Sequence, residues 1–256
     1  DSSNIFNFKF LIDSLKSPHK KPSEWQVTCT DFKFSKSSIQ YNDQYKGNNK
    51  TFVFNDLDFN IDDIIFIGDS LYFELGNLDF IGDNDLKINH LSSVFTSTGE
   101  KIELTGFNLK TDRSEINNSN FIFEIPDNDA SPGQSTQMDL KFSHSKISFY
   151  DIAQVFPALK GMDQMIDFSG HIYGGTDDLK GKNLTINTGK NTSAVLDFYA
   201  NDISDPQNMY LFLELKKSQT TFHDLGTIKV PSHKGSRYLN FPQSFYEAGL
   251  DRKSVV

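Results

Sequence analysis

The chain has little of what builds helices and cross-links. Among 256 residues there are one cysteine, one tryptophan and six alanines. A lone cysteine excludes an intramolecular disulfide, and Cys29 shares its alternation parity with Trp25 and Val27, so it reads as a small buried hydrophobe rather than a reactive thiol. The alanine shortage, set against 24 phenylalanines and many Thr, Ser, Asn and Asp residues, suits strands and turns better than packed helices. Long apolar runs are missing too. The longest aliphatic and aromatic block is Ile64–Ile67, far short of the roughly 18 residues of a membrane helix. A basic excess is also lacking: 25 Lys and Arg are scattered among 34 Asp and Glu, for a net charge of −9, which excludes the basic stripe that nucleic-acid binding requires. The sequence opens on Asp1 with neither a charged leader nor a signal-type apolar core, so any targeting or anchoring segment is expected to lie outside it.

What is present is alternation. Apolar residues recur at spacing two in Trp25/Val27/Cys29, Phe32/Phe34, Phe52/Phe54, Leu57/Phe59/Ile61, Leu71/Phe73/Leu75, Ile102/Leu104, Phe107/Leu109, Phe121/Phe123/Ile125, Met138/Leu140/Phe142, Ile147/Phe149, Leu184/Ile186 and Leu196/Phe198. Asn, Asp, Gly and Ser clusters separate these runs, which reads as about a dozen strands with one apolar face each. Parity slips between Phe54 and Leu57 and between Leu104 and Phe107, and a slip that swaps the exposed face predicts a bulge or corner. A loose phrase recurs at such places: "NDLDFNI", "GNLDFIG", "TGFNLKT" and "KNLTINT". Its irregular spacing indicates a degenerate ribbon repeat rather than a strict solenoid.

One helix is expected, near 151–160. Asp151 is placed to cap it, Ile152, Val155, Phe156 and Leu159 form one apolar face, Gly161 stops it and Pro157 limits it. The stretch "PDNDASPGQSTQ" from Pro126 has loop composition, and both chain ends are expected to fray.

Motifs for chemistry are weak. "IIFIGDSL", Ile64 to Leu71, resembles the first block of GDSL hydrolases, with Ser70 as nucleophile. None of the six histidines has an Asp three positions before it, so the partner block is missing, and Leu71, Phe73 and Leu75 continue as a strand rather than a helix. No cofactor is expected. His19, His90, His144, His171, His223 and His233 lack metal-ligand spacing. "DNDASPG" opens like a calcium loop but places Pro132 and Met138 where an EF-hand needs Gly and Glu. Asp62/Asp63 and Asp177/Asp178 read as charge on strands and turns, and sequons at Asn49, Asn117, Asn183 and Asn191 are what chance gives in so Asn-rich a chain.

The segment "SKISFYDIAQVFPALKGMDQMIDFSGHIYGGTDDLKGKNLTINTGKNTS", Ser145 to Ser193, resembles the TamB-like (translocation and assembly module) proteins of Gram-negative envelopes, in the AsmA-like superfamily. Asp151, Phe156, Pro157, Leu159, Lys160, Gly161 and Met162 match a strand-to-helix phrase of that family. Ser169 and Gly170 close its next strand, and Leu179, Lys180, Gly181 and Lys182 match a final phrase. The resemblance is dense over about residues 137–245 and only stylistic over 1–136, which divides the chain into two β-ribbon segments, 1–136 and 137–256, of one continuous sheet. The family's N-terminal membrane helix and C-terminal conserved domain have no counterpart among these residues and are expected to lie outside them.

The resemblance implies an all-β, long, curled antiparallel sheet, a taco-like trough with an apolar interior, spanning the periplasm in a protein anchored in the inner membrane. It also implies a non-enzymatic role: carrying phospholipid acyl chains between membranes, or supporting outer-membrane protein assembly with a BAM-type barrel partner. Inner-wall candidates are Phe52, Phe54, Phe73, Leu75, Leu104, Phe121, Phe123, Leu140, Phe142, Phe168 and Phe198. Ile152, Val155, Phe156 and Leu159 are candidates for a joint or cap at one end. Against this stand an adhesin or glycan-binding β-sandwich, which predicts a closed core, and a GDSL-type esterase. The glycines of 156–183 are expected to turn the backbone.

Overall fold

The computed structural model describes residues 25–43, 50–82, 86–126, 136–155, 159–175, 177–202, 210–232 and 235–247. Eleven strands form one sheet: β1 (Gln26–Asp43), β2 (Lys50–Ile67), β3 (Ser70–Ile81), β4 (Lys87–Ser97), β5 (Lys101–Thr111), β6 (Glu115–Glu124), β7 (Gln137–Ser148), β8 (Met165–Gly175), β9 (Asp178–Thr188), β10 (Thr192–Asn201) and β11 (Tyr210–Gln219). Three short helices, α1 (Phe149–Val155), α2 (Phe222–Gly226) and α3 (Gln243–Glu247), and a separate hairpin of β12 (Lys229–Ser232) and β13 (Gly235–Tyr238) are the other elements among the described residues.

The sheet order equals the chain order, and every pair is antiparallel. Tight connections force this, since only antiparallel neighbours can be joined by a hairpin. At the β2–β3 turn Gly68 (φ 63°) supplies the left-handed conformation that a two-residue hairpin loop needs. β6 pairs with β7, so the sheet runs unbroken across position 136. It is neither closed nor strongly curled, and the expected trough shape is not seen.

The predicted parity slips are real. Register shifts lie at Asn55/Asp58 on β2 and Leu104/Phe107 on β5, and similar shifts interrupt β1, β3, β6, β7, β9 and β11. At five bulges a backbone N–H freed from the ladder is accepted by a polar side chain one strand away. Lys36 N donates to Asp58 (3.2 Å), Gly106 N to Asn120 (3.0 Å), Asn118 N to Asn108 (2.8 Å), Ser143 N to Ser119 (3.2 Å) and Asn183 N to Asp197 (2.8 Å). The recurring phrase therefore has a physical cause: its Asn or Asp either occupies the bulge or accepts from it, and the apolar residues that follow return to the original face.

Several expectations need correction. β7 ends at Ser148 and Phe149 opens α1, so Phe149 is not a strand residue. Asp151 lies inside the first turn of α1 rather than capping it. Its Oδ2 accepts from Thr111 Oγ1 and Ser114 Oγ, both at 2.6 Å, which ties the helix to the β5–β6 turn. β8 does not close at Ser169–Gly170 but continues to Gly175. Cys29 is half-exposed on the edge strand, and Trp25 and Val27 beside it are exposed. Phe156 and Pro157, His19, His233, Asn49 and most of the loop from Asp127 lie outside the described residues.

The glycines of β8 and β9 do more than turn the chain. A Cβ on Gly181 would sit 2.3 Å from the Phe198 ring, so the missing side chain is what lets that aromatic lie across β9. Gly174 (φ 110°) is a backbone requirement, because a Cβ there would meet the Asp178 carbonyl oxygen at 2.0 Å.

Candidate apolar binding face

Register decides which side chains share a face, since residues directly opposite across an antiparallel pair project the same way. One row crosses nine strands: Phe73, Phe95, Leu104, Phe121, Leu140, Ile172, Gly181, Phe198 and Leu213. A second crosses all eleven, from Val27 and Phe66 through Leu71, Ser97, Ile102, Phe123, Met138, Gly174, Leu179 and Ala200 to Leu211. Rings link rows as well. Phe73 stacks on Phe95 (4.6 Å between centroids), Phe121 packs on Phe107 (5.0 Å) and Phe142 (4.9 Å), and Phe142 meets Phe168 edge-on (5.1 Å).

All eleven inner-wall candidates fall on this one face. Phe73, Leu104, Phe121, Leu140 and Phe198 stand in the first row and Phe123 in the second, while Leu75 pairs with Ile61 and Ser93. Phe142 and Phe168 join through their rings, Phe54 joins through the ring of Phe80 at 5.1 Å, and Phe52 is two residues from Phe54. Sequence reading missed Phe95, and with it all of β4. That strand places Ser93 and Ser97 among the apolar rows, which masks its alternation. It also left β11 and the β12–β13 hairpin out of the strand series.

Nothing among the described residues is stacked as a second sheet on this face, and its side chains stay partly open. Among the described residues only Leu57, Ile88, Phe121, Phe168, Leu184 and Ala200 are buried hydrophobes, whereas Phe52 is 41% exposed. The two fully buried side chains are serines, Ser119 and Ser145, seated at the bulges. The Ser119 hydroxyl accepts from Ser143 N, and Ser145 Oγ accepts from Asn117 N at 3.4 Å.

The opposite face is polar. His171 Nε2 lies 2.9 Å from Asp139 and stacks on Tyr173, and the Tyr72 hydroxyl donates to Glu74 at 2.6 Å, which raises its pKa. Asp197 is buried at the β9–β11 end. It accepts from Lys182 Nζ (2.8 Å), Lys216 Nζ (2.7 Å) and Asn183 N (2.8 Å), and those bonds hold its carboxyl well below the usual range. A polar hollow of about 450 Å³ near the same end is lined by Lys146, Asp167, Asn187, Lys190, Asn191 and Gln219, among others.

Of the end-cap candidates, Ile152 and Leu159 are half-buried, Val155 is the last residue of α1, and Phe156 is outside the described residues. The α1 anchors lie at strand ends, through Asp151 and through Phe149 N donating to Gln164 O at 2.9 Å. α2, α3 and the residues around them form a small aromatic group of Phe222, Phe241, Phe245 and Tyr246. Ser70 begins β3 immediately after the β2–β3 turn, and its hydroxyl donates to Asp69 at 3.3 Å. The described residues contain no group of three or more His, Cys, Asp or Glu side chains suited to a metal ion, and no helix long and apolar enough to cross a membrane.

No protein-family model, curated protein or solved structure matches this chain.

Proposed function

We propose that the chain is a non-enzymatic, periplasmic part of a TamB-like envelope protein, whose apolar sheet face carries phospholipid acyl chains between the inner and outer membranes. The observation behind this reading is the uncovered apolar face that runs continuously over eleven strands. An antiparallel sheet tolerates water on one face only, and water already has the polar one. A large exposed apolar surface marks a binding surface. Strands spaced about 4.8 Å apart give a wall of roughly 48 Å measured across them. Laying about eight methylenes of an acyl chain on it contributes roughly 6 kcal/mol. Successive rows offer nearly equivalent positions, which favours sliding over a deep trap. Curling of the sheet around its ligand would produce the trough, and α1 would stand at one end of it.

The related role, assembly of outer-membrane proteins with a BAM-type barrel partner, would use an exposed strand edge rather than the face. The edge of β11 is the observation that favours it, because Tyr210, Leu211, Phe212, Leu213 and Leu215 are exposed there.

The test is native mass spectrometry of protein exported to the periplasm of a Gram-negative bacterium. Co-purifying phospholipid is expected on the unmodified chain. It should drop sharply in Phe123→Asp, with far-UV circular dichroism unchanged, and persist in Glu124→Ala, whose side chain lies on the other face. Lipid-free unmodified protein, or a Phe123→Asp chain that fails to fold, refutes the reading, the second by making Phe123 ordinary core.

A further inference from the structure

β11 is the last strand of the sheet, and among the described residues no strand covers its outer edge. Its side chains are the most open run of the molecule: Tyr210, Leu211, Phe212, Leu213 and Leu215 are 48–59% exposed. The chain that follows does not supply the next strand. It turns to the ends of β8–β10, where Asp224 accepts from Asn191 N and Thr192 Oγ1 at the β9–β10 turn and Lys229 pairs with Asp163 just before β8.

We propose that this edge pairs with the same edge of a second copy, about a two-fold axis normal to the sheet at Leu213. Such an axis reverses strand direction, so the new pair is antiparallel, and it keeps both apolar faces on the same side. With Leu213 on the axis, Leu211 stands opposite Leu215 of the second copy, and Phe212 stands opposite its Glu214. Moving the axis to Glu214 would oppose two carboxylates, and moving it to Phe212 would set Leu215 opposite position 209, outside β11. The β1 edge is built differently. It carries Asp31, Lys33 and Lys36, with a bulge at Lys36 (φ 48°), features that block edge pairing. From Tyr210 to Leu215 the β11 edge has one charge, Glu214, and no bulge. Pairing at β11 roughly doubles the apolar face whatever ligand that face takes, so this inference does not depend on lipid binding.

Sedimentation velocity across a wide concentration range tests it. The unmodified chain is expected to dimerise, Leu213→Lys to weaken the dimer by at least roughly tenfold through two lysines facing each other at the axis, and Phe34→Lys on β1 to leave it unchanged. A milder probe guards against misfolding. In a Cys29→Ser background, Leu213→Cys should form an intermolecular disulfide on mild oxidation, because directly opposed residues sit about 4.5–5.5 Å apart between Cα atoms. Leu215→Cys, four residues out of register with its copy, should not. A monomer at all concentrations, a dimer that tolerates Leu213→Lys, or equal cross-linking at both positions overturns the proposal.

Discussion

Replacing Asp197 with alanine is expected to loosen the pairing of β9 with β10, and to a lesser degree β11, while leaving β3–β7 folded. The carboxylate is buried on β10 and holds three donors, two ammonium groups and the bulge N–H of Asn183. The cost follows from what each donor does afterwards. The Asn183 N–H loses a charged acceptor, worth about 1.5–3 kcal/mol. Lys182 and Lys216 are exposed enough to rehydrate, so each lost ion pair costs only about 0–1 kcal/mol. The sum, roughly 1.5–5 kcal/mol, falls mostly on the β9–β10 contact made by Asn183 and Lys182 and should cut hydrogen-exchange protection there by about 10-fold to 5,000-fold, with a smaller loss on β11, tied only through Lys216. Asp197→Asn keeps an acceptor for Asn183 N and loses the charge, so its effect should be smaller. The pH dependence has a definite sign. The folded-state pKa lies below the unfolded one, so this stabilisation is complete above the ordinary carboxylate value, about 4. It is lost only as pH falls below that value toward the depressed pKa of the folded state. Exchange mass spectrometry on peptides covering 178–188, 193–201 and 210–219, with 71–81 as internal reference, reads both effects. Unchanged β9 and β10 protection in Asp197→Ala, or loss of the Asp197-dependent protection between pH 5 and 7, would refute the reasoning.

Two further outcomes follow from the same packing. Asp151→Ala strips the shared acceptor from Thr111 and Ser114 and should destabilise the β5–β6 turn by about 1–3 kcal/mol, read as faster exchange over 108–116, with the β2–β3 turn unaffected. Gly174→Ala forces a Cβ toward the Asp178 carbonyl at φ 110° and should disrupt the β8–β9 hairpin, visible as a loss of soluble protein or a lowered melting temperature, whereas Gly235→Ala, with open space around it, should be milder despite its positive φ.

Much of the sheet was legible because its signals are local. Side chains alternate with period two, so Leu71/Phe73/Leu75 or Phe121/Phe123 reveal a strand and its apolar side without reference to any partner. The slips at Leu57 and Phe107 were legible for the same reason. β4 was not, because Ser93 and Ser97 occupy apolar-face positions whose character comes from their neighbours in the rows. Cys29 was misread as interior because alternation identifies a side of a strand and says nothing about whether that strand lies at the sheet's edge. The α1 boundary shifted because Asp151 found acceptor work at the β5–β6 turn, a contact 37 to 40 residues away in sequence.

By itself, then, the sequence determined the strand content, the presence of one apolar face per strand, the bulge sites and the absence of helix-rich or disulfide-built architectures, all properties of neighbouring residues. Only the tertiary structure decided that these faces align into unbroken rows across eleven strands, that five bulge N–H groups meet an Asn, Asp or Ser one strand away, and that no second layer among the described residues closes over Phe73, Phe123 and Phe198. Register and coverage depend on residues distant in sequence, and a periodicity of two carries no information about what lies opposite.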